Sequence, residues 1–415
     1  MTLDSTIRGD WLEASATQCV FGALEAGGFQ ARAVGGIVRN ALLGLPATDI
    51  DIATTAKPDD TIRLAKAAGL KTFETGIAHG TVTVVADGVP FEVTTLRRDV
   101  ETDGRHATVE FTADWAQDAA RRDFTINALY CDRYGRVFDP LGGMADLEPV
   151  RVRFIGSAAL RIREDYLRIL RFFRFTAAYS ADGELDDAGR DACVVHRNGL
   201  AAISGERIQS ELLKLFVARH GLPVTKALVA CGVYSVIFGR AAHIETFARL
   251  GAIETAHYRV PDGVLRLAAL GVANGADAEA LHGRLKLSAR DRQRLLGVIN
   301  HRGCIAPGMS EAEAKRTLYR LGIAAYCDAV LFAWADSGLA VDDEPFGRLL
   351  DLPERWDLPR FALSGGDVCS LGLAPGPRVG ALLAEIEADW IAAGFIADRA
   401  GLLETLALRV AGIVE

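Results

Sequence analysis

The 415-residue chain is longer than the roughly 250 to 300 residues at which one hydrophobic core stops growing, so it divides into several packed units. Half of its residues are hydrophobic and 24% are charged, which excludes a disordered protein. A formal net charge of -8 excludes a chain that grips nucleic acid along its whole length, while leaving room for a local basic strip.

The seven cysteines are scattered and never spaced as C-x-x-C, which argues against both a disulfide framework and a zinc site. The start, "MTLDSTIRGDWLEAS", has no basic segment followed by an apolar run, and no later stretch approaches about 18 apolar residues. The expectation is a protein of the reducing cytoplasm with no membrane partner.

In chain order, residues 11–27 have the pattern of an amphipathic helix ending at Gly27-Gly28. "QARAV" then reads as a short strand running into Gly35-Gly36, and residues 37–44 return to helix, stopped by Gly44 and Pro46. "TDIDIAT" alternates with period two, so Asp49 and Asp51 are expected on one face of a half-buried strand. "GTVTVVADGVPFEVTTLRR" predicts a hairpin turning at Asp87-Gly88. Residues 97–118 are polar and aperiodic, and predict a mobile loop. From about residue 157 the pattern is helical almost to the end, with "SARD" at 288–291 and the capping box "SEAE" at 310–313 as helix starts. The organisation is a small head of helices and strands on a long α-helical body, without repeats.

Four stretches can carry chemistry. A glycine pair between strand and helix, Gly35-Gly36, lets the backbone approach a phosphate at a helix N-terminus, and Arg39 can add a two-pronged contact; equally, the pair can be a tight turn beside a solvated arginine. Asp49 and Asp51, with Glu92 from "FEVTTLR" as a third carboxylate, can hold two divalent cations for phosphoryl or nucleotidyl transfer, or be ordinary surface acids. In "ARRDFTINALY", Arg121 and Arg122 can reach phosphate or sugar, and Asp123 and Asn127 a ribose hydroxyl, unless Asp123 simply caps a helix. "LRIREDYLRILRFFRF" predicts a basic helix carrying Arg161, Arg163, Arg168, Arg171 and Arg174 against Glu164 and Asp165. On such a helix Asp165 and Arg168 lie side by side, as a donor and acceptor pair able to read a base edge or as an intrahelical salt bridge.

Taken in order, "GGIVRNALLG" with "DID", "FEVTTLRRD", "DGRHATVEFT", "RRDFTINAL", "DPLGGMADL" and "RIREDYLRILRFFRF" resemble the class II tRNA nucleotidyltransferase and poly(A) polymerase family. "ISGERIQSELLKLF", "LKLSARDRQRL" and "GPRVGALLAEIE" extend the resemblance over nearly the whole chain. "PATDIDIATTAKPD", with Ile50 where poly(A) polymerases tend to have phenylalanine, is more similar to the CCA-adding branch, and a long basic C-terminal extension is absent.

The resemblance implies an α+β fold: a polymerase-β-like nucleotidyltransferase head with a small mixed sheet (1–145), then an all-α neck with a nucleotide-recognition helix (146–217), a helical body (218–335) and a tRNA-binding helical tail (336–415). It implies a Mg2+-dependent enzyme with a two-metal site, adding CCA to tRNA from CTP and ATP; poly(A) addition and CC-only or A-only activity are the alternatives. Asp49 and Asp51 would bind metal and Glu92 would complete the acidic set. Gly35, Gly36 and Arg39 would hold triphosphate, and Arg122, Asp123 and Asn127 sugar and phosphates. Glu164, Asp165 and Arg168 would form the E-D-x-x-R protein template with Arg171 beside it, the loop from Asp99 to Asp118 would help switch nucleotide, and Asp139 to Asp146 would be a hinge. Two departures stand out: Asn40 where the family usually has aspartate, and Ala107 where many relatives have proline. The oligomeric state stays open.

Overall fold

The structure is a computed structural model describing residues 6–103 and 106–414. The first five residues, on which the expectation about a leader bears, and Gly104 and Arg105 of the "DGRHATVEFT" piece lie outside the described residues. The chain forms two compact units, residues 1–242 with Arg284–Lys286, and 243–283 with 287–415. Among the described residues no helix is long and apolar enough to cross a membrane.

The first unit is built on a seven-stranded sheet. Its strands are β1 (Ala31–Val34), β2 (Ile50–Thr54), β3 (Lys71–Gly76), β4 (Thr81–Ala86) and β5 (Val89–Thr95). A separate two-stranded ribbon, β6 (Arg97–Asp103) and β7 (His106–Phe111), follows, and β8 (Tyr130–Cys131) and β9 (Val137–Phe138) return to the sheet. The sheet order is β3-β4-β5-β2-β1-β8-β9, with β2 and β5 parallel and the other pairs antiparallel.

Local chemistry explains these elements. Asp87 and Gly88 both adopt positive φ, 50° and 81°, as the tight turn between β4 and β5 requires. The parallel pair β2 and β5 needs a crossover, and the helix Pro58–Ala67 supplies part of it, opened by a proline in its first turn with Asp59 and Asp60 at its positive end.

Three expectations are corrected. The N-terminal helix is two pieces, Asp10–Glu13 and Ser15–Ala26, because the side chains of Thr17 and Gln18 donate to the carbonyls of Trp11 and Leu12 at the break, 2.6 and 2.7 Å. Residues 97–118 are not a loop but the β6–β7 ribbon followed by a helix, Trp115–Ala120. Such a ribbon is held by backbone pairing and by cross-strand contacts like Arg98 to Glu110, 2.7 Å, so it shows no hydrophobic alternation to be read. The basic helix of residues 160–175 is broken into Ala158–Glu164 and Leu167–Tyr179, with Asp165 in extended conformation between them. The break is fixed from outside: the Tyr166 ring occupies the space where a Cβ on Gly199 would stand, and Arg207 holds the Asp165 carboxylate.

Asp139 accepts the N–H groups of Gly143 and Met144, 2.8 and 2.9 Å, and Asp146 accepts from Thr125 and Arg153, so the segment expected as a hinge is tied to its neighbours at both ends.

The second unit is helical. One core gathers Leu382, Ile386, Trp390, Leu402 and Leu406, and elsewhere Trp334 stacks on Phe346 with ring centres 5.4 Å apart. Ser288 caps the helix Ala289–Arg302, and Ser310 with Glu313 forms the capping box of Glu311–Leu321, both at the expected starts. Glu254 is almost fully buried and paired with Arg266 at 2.7 Å. Replacing Arg266 with alanine strands that carboxylate and should destabilise this unit by about 3 to 5 kcal/mol, read as a lower urea midpoint.

Asp118, 1% exposed, packs the last turn of its helix against the sheet, accepting from Arg121, Arg122 and the Tyr130 hydroxyl. Burial would push its carboxyl up, but Arg122, Arg121 and Tyr130 hold it down at about 2. Because the folded value lies below the ordinary 3.8, the unfolded chain binds this proton more readily, and the stabilisation is present above pH 4 and lost as pH falls toward 2. Asp118→Asn should remove on the order of 2 kcal/mol at pH 7 and flatten the acid limb of stability against pH, as measured by urea unfolding from pH 7 to 2.5.

Candidate active site

A cavity of about 540 Å³ opens in the first unit, and its wall includes most of the chemically marked residues: Gly35, Gly36, Arg39, Asp49, Asp51, Arg122, Asp123, Asn127, Asp165, Arg168 and Arg171. Glu92 and Glu164 are not part of that wall. Arg174, Phe175, Tyr179 and Arg207 are, without having been singled out for it by the sequence. Arg174 shares the basic pattern of its helix and Arg207 lies in "ISGERIQ", but Tyr179 carries no signal in the sequence.

The glycine turn forms one side. Gly35 has φ 76°, a left-handed conformation that a side chain disfavours, and Gly36 opens the helix Gly36–Leu42. A Cβ on Gly36 would come within 3.2 Å of Thr48 Oγ1, so the turn is close to the segment that leads into β2. Arg39 is 3% exposed and its guanidinium donates to Asn40 Oδ1 through both Nε and Nη2, 3.2 and 2.9 Å, to Asn127 Oδ1, and to the Tyr179 hydroxyl, 2.6 Å. Asn40, also buried, donates to the Pro46 carbonyl at 2.9 Å.

The acidic edge comes from β2 and β5. Asp51 is on β2, Asp49 one residue before its start, and Glu92 lies in register with Asp51 on the parallel neighbour β5. Among the described residues no donor or cation pairs with these three carboxylates. The protein crowding around Asp51, then Glu92, push its carboxyl up to about 6 against the pull of Arg122, with Asp49 adding a smaller push. Among the described residues no three His, Cys, Asp or Glu side chains converge into a set that could hold an ion unaided. Two unneutralised carboxylates at a cavity edge fit instead a hard cation that takes its remaining ligands from water and substrate oxygens.

Arginines line the same cavity. Asp123 does not cap an α-helix: its Oδ1 accepts from the Phe124 N–H and from Asn127 Nδ2, 2.9 and 3.0 Å, across a single 3-10 turn, and its Oδ2 pairs with Arg171 at 2.6 Å. Burial opposes the charge, but Arg171 and Asn127 hold the Asp123 carboxyl down at about 2. Glu211 sits between Arg171 and Arg174 and pairs with both.

At the start of the helix Leu167–Tyr179, Arg168 does not pair with Asp165. It donates to Glu164 and to the carbonyls of Arg161 and Arg121, 2.9 and 3.1 Å. Asp165 accepts from the Leu167 N–H at 3.1 Å and from Arg207 at 2.6 Å. The two side chains thus reach the cavity with separate supports, one able to donate and the other to accept.

Residues 31–153 match the Poly A polymerase head domain, and residues 184–243 match the probable RNA and SrmB-binding site of polymerase A. The chain is 37% identical over 385 residues to the mitochondrial CCA tRNA nucleotidyltransferase 1 of Danio rerio, covering 91% of this chain and 87% of that protein. It is 34% identical over 380 residues to the mitochondrial CCA tRNA nucleotidyltransferase 1 of Homo sapiens, covering 90% and 85%. The Bacillus stearothermophilus CCA-adding enzyme, solved in complex with CTP, superposes with a TM-score of 0.75 at 26% identity over 96% of this chain and 98% of that one. With that similarity carried along most of both chains, the protein belongs to the CCA tRNA nucleotidyltransferase family.

Proposed function

We propose that this enzyme adds C, C and A in turn to the 3′ end of tRNA from CTP and ATP, without a nucleic-acid template. The observation that carries the reading is one cavity with two aspartates on its edge and, on its wall, a carboxylate and a guanidinium at the start of a helix. In each step the tRNA 3′ oxygen bonds to the α-phosphorus, the bond to the bridging oxygen breaks, and pyrophosphate leaves with the electron pair.

Asp49 and Asp51 would hold Mg2+, which when bound lowers the pKa of the attacking hydroxyl and neutralises charge on the leaving pyrophosphate. Glu92, one strand away, adds to the negative field that draws the cations in. The Gly35–Gly36 backbone, Arg39 and Arg122 would receive the phosphates, and Asp123 and Asn127 the ribose hydroxyls. Asp165 would accept from the exocyclic amine that cytosine and adenine share, while Arg168, oriented by Glu164, donates to the adjacent ring nitrogen. Guanine and uracil present a carbonyl oxygen and an N–H there and would be rejected by unpaired donors and acceptors. Arg171, bound to Asp123, would link the sugar site to the helix that reads the base.

We assign the segments the matching tasks: head 1–145, neck 146–217, body 218–335 and tRNA-binding tail 336–415, in a cytoplasmic enzyme even though the vertebrate relatives named above are mitochondrial.

Extension of tRNA transcripts ending before C74, after C74 and after C75, with CTP, ATP and both, is the test. Growth that stops at a complete CCA is the expected result, and a lengthening adenylate ladder independent of CTP would move the enzyme to poly(A) addition. Asp51→Ala should reduce incorporation to background with tRNA binding retained. Arg168→Ala should lower preference for CTP and ATP over UTP and GTP by about tenfold or more, with tRNA affinity nearly unchanged.

A further inference from the structure

Seven arginines line the cavity, and six have a carboxylate partner: Arg121 and Arg122 on Asp118, Arg168 on Glu164, Arg171 on Asp123 and Glu211, Arg174 on Glu211, and Arg207 on Asp165. Arg39 is the exception among the described residues. It is the most buried of the cavity's cations, yet its partners are all neutral: the amide oxygens of Asn40 and Asn127 and the hydroxyl of Tyr179. A buried cation without an anion is costly and stays in place only if neutral acceptors hold it or an anionic ligand arrives.

Tyr179 holds that cation in two ways. Its hydroxyl accepts from Nη2 at 2.6 Å, and the guanidinium carbon stands 3.9 Å from the centre of its ring, within reach of the negative aromatic face. The Tyr179 ring is in turn packed on Phe175, 5.5 Å between centres. Tyr179 is the last residue of the helix that begins at Leu167 and carries Arg168 one residue further in. Eleven residues of helix, about 16 Å, therefore connect the group that would read the base to the group that grips the Arg39 guanidinium.

We propose that Tyr179 is a positioning residue for nucleotide binding: with Asn40 it fixes the Arg39 guanidinium at a set distance from the base-reading end of the helix, ready for the triphosphate of either CTP or ATP. The proposal rests on the reading of this cavity as a nucleoside-triphosphate site. Because both nucleotides carry the same triphosphate, Tyr179 serves both equally and takes no part in choosing between them.

The test compares the wild type with Tyr179→Phe, which keeps the ring and loses the acceptor, alone and with Asn40→Asp, which gives Arg39 a charged acceptor in its place. Nucleotide affinity is read by equilibrium titration of the free protein with CTP and with ATP, and kcat and KM by tRNA extension. Tyr179→Phe should weaken CTP and ATP about tenfold and by equal factors, raising KM for both with kcat, KM for tRNA and the thermal midpoint unchanged. Adding Asn40→Asp should recover most of that loss, because the guanidinium is again held in position. Unchanged nucleotide affinity in Tyr179→Phe, or a loss confined to one nucleotide, overturns the proposal. So does a loss that appears in kcat or the thermal midpoint and is not recovered by Asn40→Asp, since packing alone would produce it. If the wild type binds neither CTP nor ATP, the nucleotide reading of the cavity falls and this proposal with it; if the wild type binds both and Tyr179→Phe binds them as well, only the role of Tyr179 falls.

Discussion

The first unit depends on one chain of side-chain contacts that runs from the glycine turn to the helix Gly205–Phe216. Arg39 donates to Asn127, Asn127 to Asp123, Asp123 pairs with Arg171, and Arg171 and Arg174 share Glu211. Each link is buried or half-buried, and each carboxylate is flanked by donors. Remove the acids and the arginines of the wall would repel one another across a low-dielectric cavity; remove the arginines and Asp123 and Glu211 would be stranded without a counter-charge. The cavity thus offers guanidinium groups to a ligand while its arginines other than Arg39 are balanced by their own carboxylates, an arrangement compatible with a protein of net charge -8.

The acidic edge follows the opposite rule. Asp49, Asp51 and Glu92 have no donors among the described residues, and the Asp51 carboxyl is pushed up to about 6 by crowding and by Glu92. An arginine salt-bridged to Asp51 would lower that value and stabilise the fold, but it would also occupy the oxygens a divalent ion needs. Arg122, whose charge pulls on the Asp51 carboxyl, is instead held by the buried Asp118, which also accepts from Arg121 and the Tyr130 hydroxyl. Arginines committed to their own carboxylates and carboxylates left bare are two halves of one arrangement, since each prevents the other from collapsing into a salt bridge.

Where the physics was local, the sequence was sufficient. The Asp87-Gly88 turn, the glycine turn at Gly35 and the serine-capped helices of the second unit follow from backbone conformations and caps that a few adjacent residues determine. The strand Ile50–Thr54 followed from alternation, although it begins one residue after Asp49. The β6–β7 ribbon was hidden because pairing of backbone groups leaves little trace in side-chain pattern. Tyr179 was hidden for another reason: it continues an aromatic face whose members, Phe172, Phe173 and Phe175, are core, and nothing nearby in the sequence shows that its hydroxyl meets Arg39.

The break in the basic helix is where tertiary contacts overruled a correct local pattern. Nothing in "LRIREDYLRILRFFRF" forbids a continuous helix, and on one Asp165 and Arg168 would lie a turn apart and satisfy each other. Gly199 makes room for the Tyr166 ring and Arg207 takes the Asp165 carboxylate, both from segments far along the chain, and together they hold Asp165 in an extended conformation. Arg168 is then left to Glu164 and two carbonyls. A salt bridge between acceptor and donor would have to be broken before either could meet a base, and its loss would be charged against nucleotide affinity. By supporting the two groups separately, the break leaves a carboxylate and a guanidinium that both line the cavity without pairing with each other, which is what the proposed reading of a base edge requires.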